Sequence, residues 1–193
     1  MAKRVYFAFH YQDVIDFRAN VVRNHWVTKP DRKAAGFFDA SIWESAKKTG
    51  PLAIKRLINS ALENTTVTTV LIGSQTYARR WVRYEIMKSM PEGNRIIGVY
   101  INSIPDKNRK TKTSGPNPFN YLGNKYSEDG WRLYLYEIKN GKWVKYGDMD
   151  TYTLKKQASS EKRGKFYKLS SDYAVFDWVA HDGYNNFAGW VGD

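Results

Sequence analysis

Three near-continuous apolar runs divide this chain: Arg4 to His10 around Val5–Phe9, Val67 to Ile72, and Arg95 to Ile101. Each is too short for a typical helix and too uniformly apolar for a strand with one wet face. Each therefore predicts a strand covered on both sides of a sheet. Between them apolar residues recur at helical steps. Val14, Phe17, Val21, Val22 and His25 predict a helix that begins at Asp13 and ends before Pro30. Pro51 suits the first turn of a second helix, where a missing donor costs little, and Ile54, Leu57, Ile58, Ala61 and Leu62 form its stripe. Phe37, Phe38 and Asp39 predict a further short strand, followed by a loop or broken helix over 40–50. At the far end Tyr173, Phe176, Ala180, Phe187 and Val191 predict a closing helix from Asp172 to about Val191, divided at Gly183.

Strands separated by helices of this length imply an α/β fold with an open, mostly parallel sheet and helices on both faces, because parallel strands need crossover connections. The alternation fails between about 103 and 169. There Asn140-Gly141 separates the β-rich runs Arg132 to Ile138 and Trp143 to Tyr146, which predicts a hairpin with a tight turn of positive φ. Ser114-Gly115-Pro116-Asn117-Pro118 reads as irregular loop. The expected organisation is one domain over 1–193, with a hairpin-containing insertion before the C-terminal helix.

Composition narrows the function classes without choosing one. A length of 193 residues with 42% hydrophobic content can bury one substantial core. The absence of cysteine removes disulfides, thiolate nucleophiles and Cys-based zinc sites, and three scattered histidines make no metal cluster, so no metal is expected. With no signal peptide or long apolar span, a soluble cytoplasmic protein without a membrane partner is expected. The net charge of +12 would attract polyanions, acidic surfaces or phosphorylated small molecules. Basic runs such as Lys107-Asn108-Arg109-Lys110 serve equally as a solvated surface.

The most informative segment is Val67 to Met87, where an apolar strand passes through Gly73-Ser74-Gln75 into a helix carrying Trp81 and Glu85. Residues four apart share a helix face, with roughly 6 Å between β-carbons, so an indole and a carboxylate stand side by side. Taken alone, Glu85 has a plain alternative as an exposed carboxylate paired with Lys88. Trp81 and Tyr77 have theirs as core aromatics.

The spacing Ser74, Tyr77, Trp81, Glu85 within GSQTYARRWVRYEI resembles the strand-turn-helix signature of TIR domains, and VYFAFHYQD (Val5 to Asp13) resembles their opening strand and loop. Ala8 stands where that family often has Ser. The whole chain, including AAGFFDASIWE, RGKFYKLSS and VFDWVAHDGYNNF, is similar to the TIR-like proteins of the bacterial Thoeris anti-phage system. The resemblance implies a flavodoxin-like fold and an enzyme that consumes NAD as substrate, with no separate cofactor. It implies a cyclic ADP-ribose isomer as product, which activates a separate NAD-depleting effector. A phage-derived trigger and self-association are partners it leaves open.

The chemistry supports a single carboxylate. Nicotinamide leaves NAD neutral, so cleavage of its bond to ribose needs stabilisation of an oxocarbenium-like transition state more than a general acid. Glu85 is the expected catalytic residue. Ligands in open parallel sheets collect beyond the carboxyl ends of strands, which makes Phe9, His10 and Ser74 candidate binding residues, joined by Tyr77 and Trp81 through their register with Glu85. Asp39 joins them because the loop after the second strand borders the crevice in TIR-like proteins; its alternative is an Asx turn or helix cap. The chain has no glycine-rich phosphate loop, which disfavours a dehydrogenase. Two other classes stand beside the enzyme: a non-catalytic TIR interaction module and, ranked last, a basic nucleic-acid binder.

Overall fold

The computed structural model describes residues 3–38 and 40–192. Five parallel strands form the central sheet: β1 (Lys3–Ala8), β2 (Arg32–Ala35), β3 (Val67–Ile72), β4 (Arg95–Tyr100) and β10 (Val175–Asp177), in the order β2-β1-β3-β4-β10. This is the flavodoxin-like order, which reverses between β1 and β3 and opens a crevice beyond their carboxyl ends. The expected α/β fold with a parallel sheet is what the structure shows.

Both faces of the sheet are covered, as the uniform burial of the strands requires. Tyr6 and Ala8 of β1 point into one apolar layer with Ile54, Ile58 and Leu62 of α4 (Pro51–Leu62) and Val82 and Ile86 of α5 (Arg80–Glu92). Val5 and Phe7 point into the other, with Ala19, Val22 and Trp26 of α2 (Arg18–Val27) and Phe187 and Trp190 of α6 (Gly183–Trp190). Phe187 is fully buried, its ring within 6.1 Å of Phe7 and 5.7 Å of both Trp26 and Trp178.

The insertion is an antiparallel sheet in the order β7-β6-β5-β9, built from β5 (Leu122–Tyr126), β6 (Arg132–Lys139), β7 (Lys142–Lys145) and β9 (Phe166–Lys168), with β8 (Tyr152–Thr153) also pairing β6. Asn140 and Gly141 turn the hairpin at φ 49° and 73°, as their sequence demands. Phe119, Leu122, Leu133, Leu135 and Leu169 enter the same apolar cluster as Tyr6 and Ile58, so the insertion packs directly on the α/β core.

Four expectations change. The first helix is broken: α1 (Tyr11–Ile15) stops, Phe17 takes a left-handed φ of 64°, and α2 restarts at Arg18. That break rotates the stripe, leaving Phe17 and Val21 53% and 40% exposed while Arg18, Ala19, Val22 and Trp26 are buried. The second strand lies at 32–35, ahead of Phe37 and Phe38, where the sequence predicts it; Asp39 lies outside the described residues. Residues 40–49 form a continuous helix, α3 (Ala40–Thr49), none of whose side chains is fully buried, so it left no core stripe to read. Residues 175–177 extend along β4 as the fifth strand and α6 starts only at Gly183, so the insertion precedes a strand and not the closing helix.

Candidate active site

A cavity of ≈ 360 Å³ opens beyond the carboxyl end of β1, lined by Phe9, His10, Tyr11, Gly36, Phe38, Trp43, Lys47, Ala78, Arg79, Arg80, Trp81, Val82 and Glu85. Its walls are aromatic. Phe38 and Trp43 stack at 5.7 Å with 15° between planes, Phe9 leans on Phe37 at 4.4 Å, and Arg80 covers the Trp81 ring at 4.6 Å. Gly36 sits at φ 88°, and a β-carbon there would lie 2.2 Å from the Phe7 carbonyl oxygen, so only glycine lets β2 turn this close to β1.

Glu85 forms the floor. Its placement follows from α5 packing on the sheet: Val82, Ile86 and Ser89 are buried, and Glu85 shares their side of the helix at 5% exposure. Oε1 accepts a hydrogen bond of 2.7 Å from the Tyr6 hydroxyl, whereas Oε2 is buried with no hydrogen-bond partner. Burial pushes the carboxyl up to about 8, against the opposing pull of the Tyr6 hydrogen bond. The alternative as a surface ion pair is excluded, since Lys88 bonds Glu92 at 2.8 Å.

The rim is cationic. Lys47, Arg79 and Arg80 line the cavity, and Glu85 is the only carboxylate among the described residues that line it. Arg79 donates to the Gln75 side chain through Nη2, while its Nε is buried without a partner. Burial, Arg79 and Lys112 together hold His10 below its ordinary range, favouring the neutral imidazole. Arg80 is tied to Asp148 of the insertion by bonds of 2.8 and 2.6 Å, and Lys55 of α4 reaches the same carboxylate at 3.2 Å. Aromatic walls suit flat rings, free guanidinium donors suit phosphate oxygens, and a desolvated carboxylate suits a developing positive charge.

Comparison with known proteins places the chain in a family. A family model described as Thoeris protein ThsB, TIR-like domain, matches residues 6–106. A protein of Bacillus cereus (strain MSX-D12), named "Putative cyclic ADP-D-ribose synthase ThsB1", is 64% identical over 191 residues, covering 99% of this chain and 100% of that protein. The chain belongs to the Thoeris ThsB family of TIR-like proteins. The family match spans β1 to β4, and so contains every residue of the cavity.

In this ThsB-family chain Phe9, His10, Trp81 and Glu85 converge on the cavity as the sequence pattern suggested. Ser74 and Tyr77 do not line it. The Ser74 carbonyl lies under Gly115 of the insertion, and Tyr77, in a 3-10 turn (Thr76–Ala78) ahead of α5, packs against Tyr121 at 5.1 Å. Both couple the signature turn to the insertion. Asp39 lies outside the described residues. Sequence reasoning missed Phe38, Trp43, Lys47 and Arg79; the four-residue step from Trp43 to Lys47 was the available signal, hidden because 40–50 lacks a buried stripe. Among the described residues no group of three His, Asp or Glu side chains could hold a metal, and no helix is long and apolar enough to cross a membrane.

Proposed function

We propose that this protein cleaves the nicotinamide–ribose bond of NAD and closes the ADP-ribose into a cyclic isomer that serves as an anti-phage signal. The observation that carries the reading is the Glu85 carboxyl at the floor of an aromatic, cation-rimmed cavity, with Oε2 free of any partner. The name of the Bacillus cereus relative, a cyclic ADP-D-ribose synthase, supports the same reaction class.

Nicotinamide and adenine rings find faces in Trp81, Trp43 and Phe38, and the pyrophosphate finds donors in Arg79 and Lys47 at the rim. Glu85 is mostly protonated at neutral pH in the empty site. A cationic pyridinium brought beside it favours the carboxylate, so substrate binding itself draws out the proton and creates the charge the transition state needs. As the glycosidic bond breaks, its electrons pass to the pyridine nitrogen, neutralising it, and the ribosyl cation forms against Glu85. An internal hydroxyl or adenine nitrogen then captures the anomeric carbon and releases a proton. Substrate rings stacked on the aromatic walls displace water from the cavity, which favours internal capture over hydrolysis.

The signal's effector, a phage-derived trigger, self-association and a cytoplasmic location belong to this proposal. A non-catalytic assembly module accounts poorly for Glu85, because a side chain 5% exposed offers nothing to a partner protein. Purified parent and Glu85→Gln, incubated with NAD alone and then co-expressed with the cognate effector under phage challenge, test the reading. The parent releases nicotinamide and the cyclic product and Glu85→Gln does not; equal product from both at equal fold stability would refute it.

A further inference from the structure

The partner that reaches Glu85 comes from the first strand of the sheet. Tyr6 is completely buried, and strand alternation turns it, with Ala8, toward α5. Its hydroxyl bonds Glu85 Oε1 at 2.7 Å across a separation of 79 residues. The neighbouring strand holds the other end of the same residue. Thr68 of β3, directly opposite Tyr6 in register, shares a 2.7 Å hydrogen bond with Ser89, and Ser89 donates to the Glu85 backbone carbonyl at 2.7 Å. Asn94 in turn donates to Thr68 and Thr65.

A phenol and a hydroxyl chain inside an otherwise apolar helix–sheet interface therefore fix both the carboxyl and the carbonyl of one residue. Packing alone would be served equally by Phe and Val at those positions. Titratable and charged neighbours stand apart from the carboxyl group: His10, Lys47, Arg79 and Arg80 line the cavity without bonding it, and Lys55 of α4 is turned to Asp148. The phenol itself stays protonated, since burial and the adjacent carboxylate both hold it well above its ordinary range, so it acts as the donor.

We propose that Tyr6 is the positioning residue of this site: its hydroxyl holds Oε1, fixes the carboxyl group at the cavity floor and keeps Glu85 ionised when substrate is bound. The catalytic part of this inference rests on the NAD-cleaving reading; the control of Glu85 does not. Without the phenolic donor the carboxylate loses its single hydrogen bond and gains rotational freedom in the same stroke.

The test compares parent, Tyr6→Phe and protein carrying 3-fluorotyrosine at position 6, each titrated by infrared difference spectroscopy of the protonated carboxyl band, with Glu85→Gln as the blank. Near-ultraviolet circular dichroism confirms that each is folded. Tyr6→Phe raises the midpoint by about one pH unit, a tenfold change in proton affinity, and 3-fluorotyrosine, a stronger donor, lowers it. In NAD turnover the acid limb of the kcat/KM profile moves in the same direction in each variant, with kcat falling in Tyr6→Phe and KM little changed. Unmoved midpoints in both variants would overturn the role of Tyr6 even if NAD is turned over. Shifted midpoints in a parent that never turns over NAD would keep Tyr6 as the residue that sets Glu85 and overturn the enzymatic reading.

Discussion

Replacing Glu85 with Gln makes this protein more resistant to unfolding at alkaline pH than at acidic pH, relative to the parent. The carboxyl binds its proton in the folded state with a midpoint of about 8, against an ordinary value of 4.5. Between those limits the folded chain holds a proton that the unfolded chain has lost, so the stability this group contributes is complete below about 4.5 and gone above about 8. The slope is about 1.4 kcal/mol per pH unit, a few kcal/mol (~3–5) across the window. Gln cannot titrate and still accepts from Tyr6, while its amide nitrogen takes the Oε2 position without an acceptor, a fixed cost of about 1–3 kcal/mol. Asp13, raised by burial to about 6, titrates alike in both proteins and cancels in the difference. Urea unfolding followed by circular dichroism at half-unit steps from pH 4.5 to 9 gives the difference curve. It should rise in favour of Gln from about pH 5 to 8 and then level off. A flat curve would mean that Glu85 ionises as it does in water, and the desolvated floor on which the mechanism depends would be wrong.

Three further outcomes follow from the packing. Arg79→Gln raises KM for NAD roughly tenfold with kcat little changed, as loss of one phosphate contact requires, and relieves the charge beside His10, whose NMR titration midpoint then moves up. Asp148→Ala cuts Arg80 loose from the insertion and leaves Lys55 only its bond to the backbone carbonyl of residue 148, at a cost of about 1 kcal/mol that shrinks at high salt because the Arg80 side chain is 53% exposed. Phe187→Ala opens a void among Phe7, Trp26 and Trp178 and lowers unfolding stability by ~3–5 kcal/mol in chemical denaturation, with NAD turnover unaffected wherever the protein stays folded.

What could be read from the chain was local and periodic. β1, β3 and β4 announced themselves as short, near-continuous apolar runs, Asn140-Gly141 specified its own turn, and the step from Trp81 to Glu85 survived because both lie on one regular helix. The misreadings share a different cause. Arg18 is buried because its guanidinium donates to the carbonyls of Ile104 and Lys110, 86 and 92 residues away, a partnership invisible to any window along the sequence. The bulky Phe17 adopts a left-handed φ that no propensity favours, and that single residue turns itself and Val21 out of the first helical stripe while Val22 stays buried. β10 has three residues, of which Phe176 fell into a helical step with Tyr173 and Ala180, and only the edge of β4 makes them a strand. In the site itself, Trp43 and Lys47 belong to a helix that lines the cavity and packs on the core only through partly buried side chains, and Tyr6 looked like one more apolar strand residue until its hydroxyl met Glu85.

The central claim is that a buried, half-partnered carboxylate draws on substrate charge to become catalytic, and proton release on binding measures it most directly. Isothermal titration of a non-cleavable, cationic NAD analogue into the parent, in buffers of different ionisation enthalpy near pH 7, should show close to one proton released per molecule bound, and none with Glu85→Gln. Binding without proton release in the parent, or equal release from both proteins, would contradict the account.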